Sequence, residues 1–247
     1  LFAGSGGKGL AASGAVSVVV NSADLNTYIL SENADKKVQS TNGKVNVKSN
    51  NDVDLETING AVSISLGEDA AGAAINVVVD SSDTAAGIEG VEVSSKDDVD
   101  VEAESDEDIM SISIGGAGGN GITVAGSINT VVMTSDTKAY IKNADVTSSE
   151  GDIKVISSCD TEITGGTGSA SISLSSMALG ASIVTGVIDS EVKATIENSK
   201  AYAGRDVIVS AEANETIGEK KAPFITVAGG FSQGLTVEGV IATMVMS

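Results

Sequence analysis

Four short phrases, NGKVNVKS, KDDVDVEA, EGDIKVIS and GRDVIVSA, recur along this chain with their leading aliphatic residues at Val45, Val99, Ile153 and Val207, 54 residues apart each time. A constant interval repeated three times constrains the fold more than any single residue, because it demands like units that stack on like units. A second phrase, typified by GITVAGSINTVVMTSDTKAYI from Gly121, places Val20, Val79, Val132, Val187 and Val245 at matching points with steps of 59, 53, 55 and 58. A third reads AVSISL, MSISI, ASISL and PFITV, with Ile64, Ile112, Ile172 and Ile225 stepping by 48, 60 and 53. Length changes fall between the phrases, as they should if the phrases are strands and the gaps corners.

Within the phrases the apolar residues alternate. Ile122, Val124, Ile128 and Val132 share one parity, as do Val99, Val101 and Ala103, a period of two that predicts strands. Intervening runs such as Thr134-Ser135-Asp136 and Glu150-Gly151-Asp152 carry turn chemistry, and the only proline is Pro223. Three similar units per repeat of about 56 residues give about 19 residues per rung, too few to bury an apolar face without stacked neighbours. The fold class expected is all-β: a parallel β-helix solenoid, about 19 residues per rung and three rungs per repeat, making roughly 13 rungs and a rod of about 62 Å. Tandem β-sandwich repeats are the alternative. Residues 1–247 read as one continuous solenoid segment, with repeats starting near 9, 67, 120 and 175 and a partial one from 231. The chain starts at Leu1 with no signal peptide before it, and so reads as an excerpt of a longer repetitive protein.

Composition supports stacked aliphatic layers. The chain has three Phe, three Tyr and no Trp, yet 41% of its residues are apolar and 29 are Gly. Competing architectures fit less well: immunoglobulin-like modules call for a core Trp or Tyr, calcium-binding β-rolls for an Asp that GGAGGNGITV lacks, and coiled coils for heptads. With no His and one Cys, there is no Ser-His-Asp or Cys-His nucleophile, no Cys/His zinc site and no internal disulfide. A net charge of −20 repels nucleic acid.

The phrases VTSSEGDIKVIS from Val146 and AYAGRDVIVSA from Ala201 resemble the rung signature of large filamentous haemagglutinin-type adhesins. The longer unit with its SISL and SDTxA phrases is similar to the filamentous adhesins and leukotoxins of anaerobic bacteria. The resemblance covers essentially the whole chain and implies a right-handed β-helical shaft, two-partner secretion, and a role in adhesion or biofilm. The amino-terminal secretion domain of that family, with its Asn-Pro motifs, is not in this sequence.

Candidate chemistry is sparse. KDDVDVEAESDED holds eight acids between Asp97 and Asp108, of which Asp98, Asp100, Glu102 and Glu104 share the parity opposite Val99 and should form an outward stripe. This is the candidate metal site, for weakly bound Ca2+ or a fibre-to-fibre bridge, set against a plain solvated face; no other cofactor is expected. Asp24, Asp83, Asp136 and Glu191 recur after the long strand and read as corner acids about 14 Å apart, too far for a two-carboxylate enzyme. Cys159 shares a small inward column with Asn51, Ser105 and Ala213 and reads as a buried, inert thiol. Tyr28 and Tyr140 occupy equivalent outward places, with Gly87 and Thr195 in the other copies, and Tyr202 lies in a separate strand. The Gly-rich runs AGSGGKG and GGAGGNG complete no phosphate loop and read as corners with positive φ.

The function expected is structural: the shaft of a giant secreted fibre or adhesin on a bacterial surface, extracellular and not an enzyme. Partners expected are further copies in a fibre, or surface ligands bound by other parts of the parent chain, with no nucleic acid and no membrane insertion by this segment. A carbohydrate-active β-helix enzyme is one alternative, although Arg205 is the only Arg available to hold an anionic sugar. A segment of a secreted cytolytic toxin is another, and it calls for exposed apolar surface that is not evident in the sequence.

Overall fold

In a computed structural model the described residues are 1–32, 36–218 and 224–247; Pro223 lies outside them. They form fifteen strands and no helix, and every strand pairing is parallel. Sheet I contains β1 (Phe2–Gly7), β4 (Val45–Ser65), β7 (Val99–Gly119), β10 (Ile153–Ser173), β13 (Val207–Ile217) and β14 (Ile225–Ser232). Sheet II contains β2 (Ala11–Leu30), β5 (Ala70–Glu89), β8 (Thr123–Lys142), β11 (Met177–Glu197) and β15 (Leu235–Met246). Sheet III is narrow, with β3 (Lys37–Ser40), β6 (Glu92–Ser95), β9 (Asp145–Ser148) and β12 (Lys200–Ala203). The chain runs from sheet II through sheet III to sheet I and then enters the next layer of sheet II. This is a parallel β-solenoid, not closed into a barrel.

One coil corrects the expected rung. Val45 pairs with Val99, Val99 with Ile153 and Ile153 with Val207 as direct neighbours, so a full repeat makes one coil rather than three rungs of about 19 residues. The sheet II partners Val20, Val79, Val132, Val187 and Val245 are likewise adjacent. The described residues therefore stack four to five layers, about 24 Å along the axis at ~4.8 Å per layer, in place of a 62 Å rod. The polar run Thr134-Ser135-Asp136, expected to be a turn, lies within β8 and turns no corner. The uneven steps of the third phrase also resolve. Ile64 aligns with Gly118, Ile172 and Phe231, whereas Ile112 aligns with Ile58, Gly166 and Ile225, two columns six residues apart.

Corners between sheets II and III turn through left-handed residues at equivalent places: Gly90 (φ 67°), Asn143 (φ 50°) and Asn198 (φ 48°). Gly and Asn are the residues that take this conformation at least cost. Of the glycines of GGAGGNG, Gly115, Gly116, Gly118 and Gly119 belong to β7 and only Gly121 lies in the bend that follows, and none has positive φ.

The interior changes character along the strands. Where the three sheets meet, aliphatic columns fill it: Val99 and Ile153 from sheet I, Ile88 and Ile141 from sheet II, Val93 and Val146 from sheet III, all 0% exposed. A second cluster around Val78, Ile109, Met133 and Ile163 follows. Beyond it sheets I and II close on each other, so tightly that a Cβ on Gly72 would lie 2.0 Å from the Gly116 carbonyl and one on Gly115 1.9 Å from that of Gly126. In the inner coils Gly, Ala, Ser, Thr and Asn face in there, whereas in the terminal coil Glu238 and Val240 stand in register with Gly180 and Ser182.

Candidate interaction surface and interior carboxylates

The narrow half of the solenoid is polar inside. Asn76 Nδ2 donates to Thr57 Oγ1 and Ser111 Oγ at 2.8 Å each, and Ser111 donates to Asn129 Oδ1 at 2.6 Å. Asn129 Nδ2 donates to the Ser111 carbonyl at 2.8 Å, Ser127 to the Ser113 carbonyl at 2.7 Å, and Ser182 to the Val227 carbonyl at 2.8 Å. The serines of the SISL phrases, Ser63, Ser65, Ser171 and Ser173, are buried, and their isoleucines point outward.

This overturns the expected facing of the apolar residues. Val45, Val99 and Ile153 do point in, but Ile64 is 53% exposed, Ile172 50% and Val20 69%, and Ile122, Val124 and Ile128 are exposed too. On sheet II the outward columns, read across the coils in register, begin with Ala12, Ala71, Val124, Leu179 and Val237. Next come a groove of small residues, Gly14, Ala73, Gly126, Ala181 and Gly239, and a ridge, Val16, Ile75, Ile128, Ile183 and Ile241. Two more columns, of Val and Thr and then of Val alone, complete a face without a charge. An apolar hollow of about 310 Å³ lies over the groove. Sheet I carries a matching skin on its side of the same half, with a hollow of about 360 Å³ floored by Gly166 and Gly168 and walled by Ile112, Ile114, Ile225 and Val227. Exposed apolar surface of this extent marks a contact site in soluble proteins.

The other half of both outer faces is charged. Asp24, Asp83, Asp136 and Glu191 are in register on adjacent coils, about 4.8 Å apart rather than 14 Å, and lie within strands rather than at corners. Lys138 pairs with Asp136 at 2.7 Å and with Glu191 at 3.6 Å, and Lys193 also pairs with Glu191. The Lys193 hydrogen bond holds the Glu191 carboxyl below its ordinary range. The stripe Asp98, Asp100, Glu102 and Glu104 lies on the outer side of sheet I, but Asp100 is buried there at 4% exposure, and the stripe is matched by cations of the flanking coils. Lys44 reaches Asp100 at 3.2 Å, Lys48 reaches Glu104 at 2.8 Å and Glu102 at 3.7 Å, and Lys154 reaches Asp98 at 3.5 Å and Asp100 at 3.6 Å. Arg205 meets Asp98 at 3.0 Å. The Asp152 amide, then Lys154 and Arg205, draw the Asp98 carboxyl below its usual range. Among the described residues no group of three or more Asp, Glu or Cys is arranged to hold a metal ion.

Two carboxylates that the sequence reading did not single out are buried between the aliphatic clusters. Glu107 and Asp80 are both 0% exposed. Glu107 Oε1 accepts hydrogen bonds from Ser82, from Ser105 at 2.7 Å and from Ser135 at 2.9 Å, and Asn21 donates to Asp80 Oδ1 at 2.6 Å. The second oxygen of each has no hydrogen-bond partner among the described residues. Burial pushes the Asp80 carboxyl up, with the charge of Glu107 adding to it and the Asn21 hydrogen bond opposing. Cys159 lies in the predicted column with Asn51, Ser105 and Ala213 and is 2% exposed; burial raises its pKa, so its thiol is held protonated. Tyr28 and Tyr140 face outward with ring centroids 6.1 Å apart, meeting over Gly87 of the coil between them.

Comparison with protein-family models, with curated proteins and with solved structures finds no match to this chain.

Proposed function

We propose that this chain is a structural segment of a large secreted fibre or adhesin of a bacterial surface, with no enzymatic role. The observation that carries this reading is the shared register: successive coils present the same columns, with one interruption in sheet I where β13 ends at Ile217 and β14 resumes at Ile225, so the segment lengthens by repetition. The adhesin resemblance of the sequence phrases supports the surface location. The coil size adjusts the mechanical picture. At ~4.8 Å per coil of about 55 residues, 100 Å of shaft takes about 1,100 residues, so the chain invests in breadth more than in reach.

The acid column on sheet II spans an exposed face and is neutralised in part by Lys138 and Lys193, which favours a solvated surface over an acid-base pair. A membrane-active segment is the second reading, supported by the two charge-free apolar skins. Immunogold labelling of intact cells with an antibody against this segment, with cryo-electron microscopy of the labelled structures, tests the proposal. Label along surface filaments with a 4.8 Å axial spacing is the expected result. Label confined to the cell interior, or to isolated globular particles, would overturn it.

A further inference from the structure

We propose that the outer face of sheet II is a contact between two copies of this chain, packed face to face with their strands antiparallel. The inference rests on the structural reading above and names the partner. The four columns that overlap in this packing, five strands at ~4.8 Å by seven residues at ~3.3 Å, cover roughly 550 Å², near the ~600 Å² per partner at the lower end of specific interfaces. Its relief is self-complementary. The ridge of Val16, Ile75, Ile128, Ile183 and Ile241 runs beside the groove floored by Gly14, Ala73, Gly126, Ala181 and Gly239, one outward position away, or about 7 Å. A two-fold axis parallel to the solenoid axis and passing between these columns lays each ridge in the partner's groove.

Charge fixes the orientation. Strand-parallel stacking would place the column Asp24, Asp83, Asp136 and Glu191 over its own copy, setting like charges opposite one another. The antiparallel arrangement overlaps only the apolar halves and sends the acidic halves to opposite ends. Hydrocarbon is a poorer occupant, because sheets I and II are not closed into a barrel and lipid offers no partner for a strand edge.

Sedimentation equilibrium of the 247-residue chain, with two variants, tests the contact. Ile128→Lys with Ile183→Lys charges the ridge. Gly126→Leu fills the groove, and since a Cβ there meets nothing within 4 Å in its own chain, the fold should tolerate it, as a circular-dichroism melt will check. The expected result is self-association of the unaltered chain, with a dissociation constant raised roughly tenfold or more in each variant. For orientation, Val124→Cys chains mixed with Thr130→Cys chains should be joined by a bis-maleimide cross-linker spanning about 10 Å, the distance between packed sheets, and neither should be joined alone. A chain that is monomeric at about 100 µM, or association untouched by both variants, overturns the proposal. So does self-cross-linking of Val124→Cys alone, which would mean strand-parallel packing, or flotation of the monomer with phosphatidylcholine vesicles, which would assign the face to lipid. Surface filaments with 4.8 Å register but no such contact would leave the structural role standing and remove only this interface.

Discussion

Asp80 is the residue at which burial and charge conflict most directly. Among the described residues it has no cationic partner, and Glu107 lies near enough to raise its pKa. Because its folded-state pKa exceeds the unfolded value of ~3.9, the unfolded chain gives up the proton first. Its contribution to stability is greatest below that value and is lost as pH rises through the folded pKa. Asp80→Asn should therefore gain roughly 1–3 kcal/mol at pH 7, show little difference near pH 3, and flatten the pH dependence of the thermal midpoint. A lower midpoint at pH 7 with an unchanged slope would show instead that the ionised carboxylate stabilises the fold. Sequence reasoning placed Cys159 correctly, because its column, Asn51, Ser105 and Ala213, follows from the constant 54-residue step. It passed over Asp80 and Glu107 because each stands in a polar run, although parity marks Glu107, which continues the inward series Val99, Val101, Ala103 and Ser105.

The strands were legible as strands, but their length and facing were not. Parity followed from the buried end of β8, through Ile141, Ala139 and Thr137, leads without a break to Ser127 and Thr123 inside. Read as separate short strands, the phrases lose that thread at Thr134-Ser135-Asp136, where the residues facing in and out are all polar. The cause is the closeness of the two sheets, which admits small polar side chains and expels large aliphatic ones. One strand supplies the test. Gly115→Ala would bring its Cβ to 1.9 Å from a backbone oxygen and should lose about 1–3 kcal/mol, as overpacked cores do. Gly118→Ala, three residues on and facing out, meets nothing within 4 Å and should stay within about 0.5 kcal/mol. Chemical denaturation of the two variants side by side distinguishes a tight seam from a loose one.

At the scale of the whole molecule the parallel solenoid was readable from periodicity alone, whereas the number of layers was not, since three similar phrases per repeat suggest three rungs although two of them, around Val45 and Ile64, share one strand of sheet I. Excising residues 99–152 separates these cases. It removes one coil and joins Asp98 to Ile153, which already stands in register with Val99. The shortened chain should keep its strand circular dichroism per residue and unfold cooperatively at a lower temperature. Removing about 19 residues from the same point, an odd number, should reverse every facing beyond the cut and abolish folding. The wide coil also gives the molecule a particular response to load. A coil peeled from the end of the stack frees some 55 residues, about 180 Å of extended chain, while the stack itself shortens by only ~4.8 Å. Under tension such a filament should yield in long, regular steps, each dissipating work before the next coil is strained, and force spectroscopy on tandem copies should record a sawtooth of about that spacing. A narrow column of short rungs would give up its length in far smaller increments; this one acts as a brake.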